Sequence, residues 1–247
     1  MERLHKLLFE LSSPERISIM SKLEKDECKL SQLSRKLQLT VTETSRHLQR
    51  LNEAKLIQKN SNGKYGLTQF GRLAIFLLED LSFLSAHREY FLEYDASGVP
   101  RQFIDRFGEL AHGVYVGEAL GNLEEGENRI REAQKFVWIL SDAVLTNSVP
   151  ILMEKVKKPF DLRIVLPEGK FPPENASRLP LASNTHKRVL PKIDVLIVMT
   201  ENYAVFCLPT WSGKIDYTGF SGQDARFRKW CRDLFLYYWE RAKPVTS

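Results

Sequence analysis

Within the stretch LTVTETSRHLQRL, Leu39 to Leu51, the residues Thr42, Ser45, Arg46, His47, Gln49 and Arg50 crowd hydrogen-bonding side chains onto one short span. Their chemistry is that of nucleic-acid recognition. Arginine pairs two donors with guanine O6 and N7, glutamine grips adenine N6 and N7, and hydroxyls bond either bases or phosphates. Arg46 and Gln49 are the candidates for base contacts, with Thr42 and Ser45 beside them, while His47 either reaches a phosphate or braces the helix. Arg35, Lys36, Arg50, Lys59 and Lys64 are the candidates for phosphate contacts, which would make binding strongly salt-dependent. The charge distribution agrees. The chain carries +5 overall, from 36 basic and 31 acidic side chains. The segment from Lys29 to Lys64 alone holds eight basic against two acidic ones, a local +6 that leaves the remainder near neutral.

Such side chains act only on a helix whose other face is anchored. Thr40 and Glu43 form a T-x-x-E capping box that starts one, and Thr44, Leu48 and Leu51 lie at i, i+4 and i+7 as its buried seam. Ahead of it, CKLSQLSRKLQL reads as an extended stretch at Cys28 to Leu30, a Ser31 cap and a short helix through Leu33 and Leu37. SSPERISIMSKLEKDE offers Ser12 or Ser13 as cap and Pro14 in the first turn, with Ile17, Met20 and Leu23 facing the core. A short helix, Leu4 to Leu11, comes first. Two short helices joined by a three-residue link make a helix-turn-helix. LIQKNSNGKYGLT then reads as a hairpin turning at Asn62-Gly63, a wing with Lys59 and Lys64 at its tip. From Thr68 a helical pattern runs to about Tyr94, with Leu73, Phe76, Leu77, Leu81, Leu84 and Phe91 as its main stripe and Ile75, Leu78 and Phe83 off it. That excess of apolar surface predicts packing against a second subunit or the following domain.

TETSRHLQRLNEAKLIQKNSNGKYGLTQFG resembles the recognition helix and wing of ArsR-like winged-helix repressors, over about residues 10 to 75. The metal-sensing members carry Cys-x-Cys before the recognition helix; here Leu30 stands where the second thiol would be, so the resemblance implies no metal site and no cofactor. SGVPRQFIDRFGEL and SGKIDYTGFSGQDARFRKWCRDLFLYYWERA resemble the C-terminal domain of archaeal regulators of the methanogenesis-regulator (FilR-like) type. The combined resemblance implies a one-component transcriptional regulator, and the leading expectation is that it binds double-stranded DNA as a homodimer.

The expected architecture is a two-domain α+β or α/β chain. Residues 1–95 form the winged helix-turn-helix with its long helix, Gly98 and Pro100 mark a linker, and 96–247 form an α/β sensor-like domain. In that second part RQFIDRFGELA reopens as a helix with Phe103, Phe107 and Leu110 in register. FVWILSD, DLRIVLP, DVLIVMT and YAVFCLP read as strands alternating with helices such as SVPILMEKVKK. EGKFPPENASRLPLASNTHK reads as a loop or lid, and Phe227, Trp230, Cys231, Leu234, Phe235 and Tyr238 as the apolar face of a final helix. A small-molecule effector would bind at strand ends, with Ser141, Asp142, Arg163 and Tyr217 as candidates.

Other functions find less support. The five histidines are scattered, and no GxSxG, HExxH or phosphate-loop pattern occurs, so no catalytic residues are assigned. HKRVLPKID resembles the H-x-K-x4-D motif of phospholipase D-like domains, but Arg188 replaces the lysine and Asp194 comes one residue late. Three separated cysteines argue against a disulfide scaffold, and buried packing explains Cys207 and Cys231 better than redox sensing. The longest apolar runs fall far short of the roughly 20 residues a membrane span needs, and Met1 opens on a charged segment. The expectation is a cytoplasmic protein without membrane partners, the competing readings being a protein-interaction module or an enzyme acting on phosphodiesters or small molecules.

Overall fold

Capped helices build the first part of the chain, in a computed structural model that describes residues 2–171 and 185–245. α1 spans Glu2–Leu11 and α2 Pro14–Lys25; the Ser13 hydroxyl caps α2 by accepting from the Arg16 N–H at 3.3 Å. Ile19, Met20 and Leu23 are buried, whereas Ile17, expected among them, is half exposed. α3, Leu30–Leu37, begins earlier than a Ser31 cap would allow: Lys29 is the cap residue, and its N–H donates to Gln32 Oε1 at 2.8 Å. Gln38 turns left-handed at φ 55° and α4, Val41–Glu53, follows. β1, Ile57–Lys59, pairs antiparallel with β2, Tyr65–Leu67. Their turn is closed by Gly63 at φ +74°, with Asn60 Oδ1 accepting from the Asn62 and Lys64 N–H groups at 3.0 Å each.

α5, Gln69–Ala86, corrects the expected helix in two ways. A Cβ on Gly71 would meet the Leu56 carbonyl oxygen at 1.9 Å, so only glycine permits this approach. With Gly71 against Leu56, the positions three, four and seven residues on turn inward. Ala74 and Ile75 are therefore buried and Leu78 packs beside them. Of the expected main stripe, Leu73, Phe76, Leu77 and Leu81 are exposed, together with Phe70, whereas Leu84 and Phe91 are partly buried. The helix also stops before Tyr94. His87 breaks it at φ −115°, ψ 31°, and α6, Arg88–Glu93, restarts.

The chain divides into two compact units at Leu81 and Ser82, inside α5 and earlier than the expected boundary at 95/96. Phe83, Tyr90 and Tyr94 belong to the core of the second unit, where Tyr90 and Tyr94 stack at 4.2 Å. The expected linker is also inside that unit: Val99 is buried, and the Tyr238 hydroxyl donates to the Gly98 carbonyl at 2.6 Å.

The second unit continues through α7, Arg101–Ile104, and a 3₁₀ turn, Phe107–His112, with Phe103, Phe107 and Leu110 buried as their spacing predicts. Then come β3, Val114–Val116, α8, Ala119–Glu132, β4, Phe136–Leu140, α9, Val149–Lys155, and β5, Asp161–Pro167. β6, Thr185–Leu190, β7, Leu196–Thr200, β8, Ala204–Cys207, β9, Gly219–Gly222, α10, Ala225–Arg241, and β10, Lys243–Pro244, complete it. Among the described residues these strands form one mixed sheet of order β10-β6-β5-β4-β7-β8-β9-β3, parallel only across β4, β5 and β6. Alternate residues separate its faces. Trp138, Leu140, Val165 and Phe206 pack with Trp230, Leu234 and Phe235 of α10, while Val137, Ile139, Leu162 and Ile164 pack with Ile130 of α8 and Leu152 of α9. Most of the anticipated lid segment, 172–184, lies outside the described residues. Its far end is not loop: Thr185, His186 and Lys187 stand on β6.

The architecture is therefore α+β with two parts, a helical helix-turn-helix region followed by a sheet-containing domain.

Candidate nucleic-acid interface

The start of α4 is fixed from both sides of its capping box. Thr40 Oγ1 accepts from the Glu43 N–H at 3.2 Å, and Glu43 Oε2 accepts from the Thr40 N–H at 3.0 Å. A cap of this kind contributes about 1 kcal/mol. Inward, Leu48 and Leu51 are fully buried, and so is Thr44, whose hydroxyl donates to the Thr40 carbonyl at 2.8 Å. This seam leaves Thr42, Ser45, Arg46 and Gln49 exposed on one side of the helix. Arg46 carries no hydrogen bond or ion pair among the described residues, so its five donors are available. Gln49 is held along the helix by its amide donating to Glu53 Oε1 at 2.9 Å. Val41 joins the exposed set at 60%. Its spacing from Thr44 puts it in register with the seam, and the sequence gives no signal that it lies free in the first turn, before the core begins.

His47 and Arg50 do not share that exposure. His47 is half buried, burial is the main cause that pulls its pKa down, and Nδ1 has no partner. Partial burial of this ring on α4 favours its uncharged form. Arg50 forms a two-pronged pair with Glu10 on α1, at 3.1 and 2.6 Å, and lies 5.0 Å over the Phe9 ring. Its guanidinium ties α1 to α4. Arg16 completes this clasp, 3.3 Å from Glu10.

The hydrogen bond from Arg50, aided by the charges of Arg16 and Arg50, holds the Glu10 carboxyl below its ordinary pKa of 4.5 against opposing burial. A depressed carboxylate stabilises the fold fully above the unfolded-state value and loses that contribution as pH falls through the native one. Urea unfolding between pH 7 and pH 3 should show Glu10→Gln less stable than wild type near neutrality, with the gap closing below about pH 4.5. A constant gap would rule out the ion pair as its source.

Arg35 and Lys36 are exposed near the end of α3, Lys36 Nζ lying 3.9 Å from the buried Cys28 Sγ. Lys59 at the wing stands over Tyr65 at 5.6 Å, and Lys64 is half exposed across the turn. No cluster of three or more His, Cys, Asp or Glu residues able to hold a metal occurs among the described residues, and no helix there is long and apolar enough to cross a membrane.

The four candidate effector residues do not form one site. Ser141 is buried and bonds its own turn, accepting from the Ala143 N–H at 3.3 Å. Asp142 is partly buried, which raises its pKa, and its Oδ1 is unpartnered. Tyr217 packs at the α8–α9 face of the sheet. Arg163 is on the opposite face, sandwiched 4.4 Å from Trp138 and 5.4 Å from Trp239 and paired with Asp161 at 3.1 Å. Residues alternate across a strand, so its position on β5 puts it across the sheet from Tyr217. The residues resembling the phospholipase D pattern are also engaged: Arg188 donates to the Trp239 carbonyl at 2.7 Å, and Asp194 pairs with Lys192 at 2.6 Å.

Among solved structures the chain is similar to TrmBL2, an archaeal chromatin protein, at TM-score 0.46 and 15% identity over 94% of each chain. It is similar to Nuc from Salmonella typhimurium, a phospholipase D family member, at TM-score 0.39 and 10% identity, over 50% of this chain and 90% of that one. T. acidophilum IdeR follows at TM-score 0.24 and 15% identity, over 86% and 98%. Likenesses this distant assign no function. No curated protein sequence matches. Residues 13–59, from the cap of α2 to the end of β1, match the family model described as bacterial regulatory protein, arsR family, so the N-terminal part of the chain carries the helix-turn-helix of a DNA-binding regulator.

Proposed function

We propose that the protein is a homodimeric, sequence-specific transcriptional regulator acting in the cytoplasm, its C-terminal domain receiving a small-molecule signal. The observation that carries this reading is the exposed face of α4, where Arg46 is unpaired beside Ser45, Thr42 and Gln49 on a helix capped at one end and buried along its seam. Arg46 and Gln49 read base edges, Val41 offers methyl groups to thymine, and Arg35, Lys36, Lys59 and Lys64 meet phosphates. The exposed apolar side chains of α5, with Leu4, Leu8 and Phe9 of α1, support pairing of two copies. Two recognition helices about one turn of DNA apart then enter successive major grooves of a palindrome. The C-terminal domain is read as being of the methanogenesis-regulator type, with no catalytic role.

Selection of genomic DNA fragments on the immobilised protein at two salt concentrations tests this. The expected result is enrichment of fragments sharing a palindromic motif, with total retention falling steeply at higher salt. Uniform retention without a shared motif, or none, would refute sequence-specific regulation and favour a protein-interaction module.

A further inference from the structure

Between α8, the turn at Leu145–Ser148 and strands β7 and β8, the sheet face holds a cavity of about 180 Å³. Gly126 lines it from the middle of α8 and is buried, yet a Cβ built on it meets nothing within 4 Å. Glycine inside a helix costs about 1 kcal/mol relative to alanine. No close approach requires it here, so the consequence of the missing side chain is open space. The wall opposite is apolar, from Ile130, Leu196, Val198 and Val205.

The rest of the lining selects by charge. Among the described lining residues there is no Lys, Arg or His, and Glu127 is the one ionisable carboxylate. An anion would enter apolar surroundings with a like charge beside it and no cation to offset its lost hydration. An anionic effector is thereby disfavoured in this cavity. The polar handle is Tyr217, held left-handed at φ 68° with its carbonyl accepting from Asn122 Nδ2 at 2.7 Å. Burial pushes the Tyr217 hydroxyl up, which keeps its proton in place. Asn122, 4% exposed, also lines the cavity, and its Oδ1 has no partner among the described residues.

We propose that this cavity binds an uncharged, largely apolar molecule carrying one hydrogen-bonding group, recognised by the Tyr217 hydroxyl and the Asn122 amide. The proposal rests on the reading of the C-terminal domain as a small-molecule receiver. A cavity of roughly 150 Å³ accommodates benzene, so the fitting size is that of benzene to indole.

Calorimetric titration of the full chain, without DNA, uses indole, its isostere indene, which lacks the N–H, and indole-3-carboxylate, which adds a negative charge. Indole is expected to bind with a sub-millimolar dissociation constant and the carboxylate at least tenfold more weakly. Gly126→Leu, which fills the space, should lose at least tenfold in indole affinity, and Gly126→Ala should lose less. Tyr217→Phe should weaken indole about fivefold and leave indene unchanged. Absence of indole binding, equal binding of the carboxylate, or Gly126 variants that bind like wild type would overturn the cavity assignment. A separate titration of a selected DNA fragment with and without saturating indole addresses the regulatory reading. Unchanged DNA affinity there would sink signalling through the cavity while leaving the binding site standing.

Discussion

Leu77→Glu is expected to turn the proposed dimer into a monomer and to lower affinity for a palindromic site by about 100-fold or more, because the second half-site then binds without the first holding it nearby. Leu77 is 62% exposed on α5, flanked by Leu73, Phe76 and Leu81 and preceded by Phe70. One unit does not cover this stripe, since Gly71 has turned the opposite face of α5 into the core. In a symmetric pair each copy's Leu77 meets the same patch, so one substitution buries two carboxylates in apolar surroundings. The monomer's own stability should move by no more than about 0.5 kcal/mol, since the position is already exposed. Light scattering behind size-exclusion chromatography gives the mass, and urea unfolding checks the fold. A variant that keeps the wild-type mass, or a wild type that is monomeric at micromolar concentration, would remove α5 as the pairing surface.

Arg46→Ala is expected to cost about 1–3 kcal/mol at the selected site, a loss of roughly 5- to 150-fold, and to relax the preference at the base pair it reads. Among the described residues Arg46 makes no hydrogen bond or ion pair and is exposed, so the loss is expected to report binding more than folding. Lys59→Ala is the contrast. A wing lysine on phosphate should weaken all sequences alike and reduce the salt dependence by about one charge. Fluorescence anisotropy on the selected fragment and on a scrambled one separates the two. If Arg46→Ala weakened both equally, Arg46 would be a phosphate contact and the base-reading role would pass to Gln49 or Ser45.

These variants stand on features that the sequence revealed unequally. The Thr40–Glu43 box, the Thr44, Leu48 and Leu51 seam and the Asn62-Gly63 turn all appear as expected, because each joins residues within a few positions of one another. The four apolar runs of the second unit are buried strands for a similar reason: a continuous Val- and Ile-rich run suits a sheet covered on both faces. Arg50 was legible as a basic residue on the right helix but not as a structural one, since its partner Glu10 is forty positions away. The same distance problem separates Arg163 from Tyr217, as strand alternation and sheet order decide which face each occupies.

By itself the sequence determined the capped starts of α2 and α4, the four apolar strands of the second unit, and that one polar helix among basic neighbours is the candidate for recognition chemistry; these follow from caps, periodicity and local charge. Only the tertiary structure decided which way α5 faces, that the helix breaks at His87 to bring Tyr90 and Tyr94 into the second core, and that Gly126 opens onto a cavity. α5 has apolar residues on several sides, so periodicity permits more than one buried face, and the choice falls to a backbone approach between Gly71 and Leu56 across a hairpin. A cavity is the space several elements leave unfilled. No single segment encodes it, and it exists only once α8 has packed on the sheet.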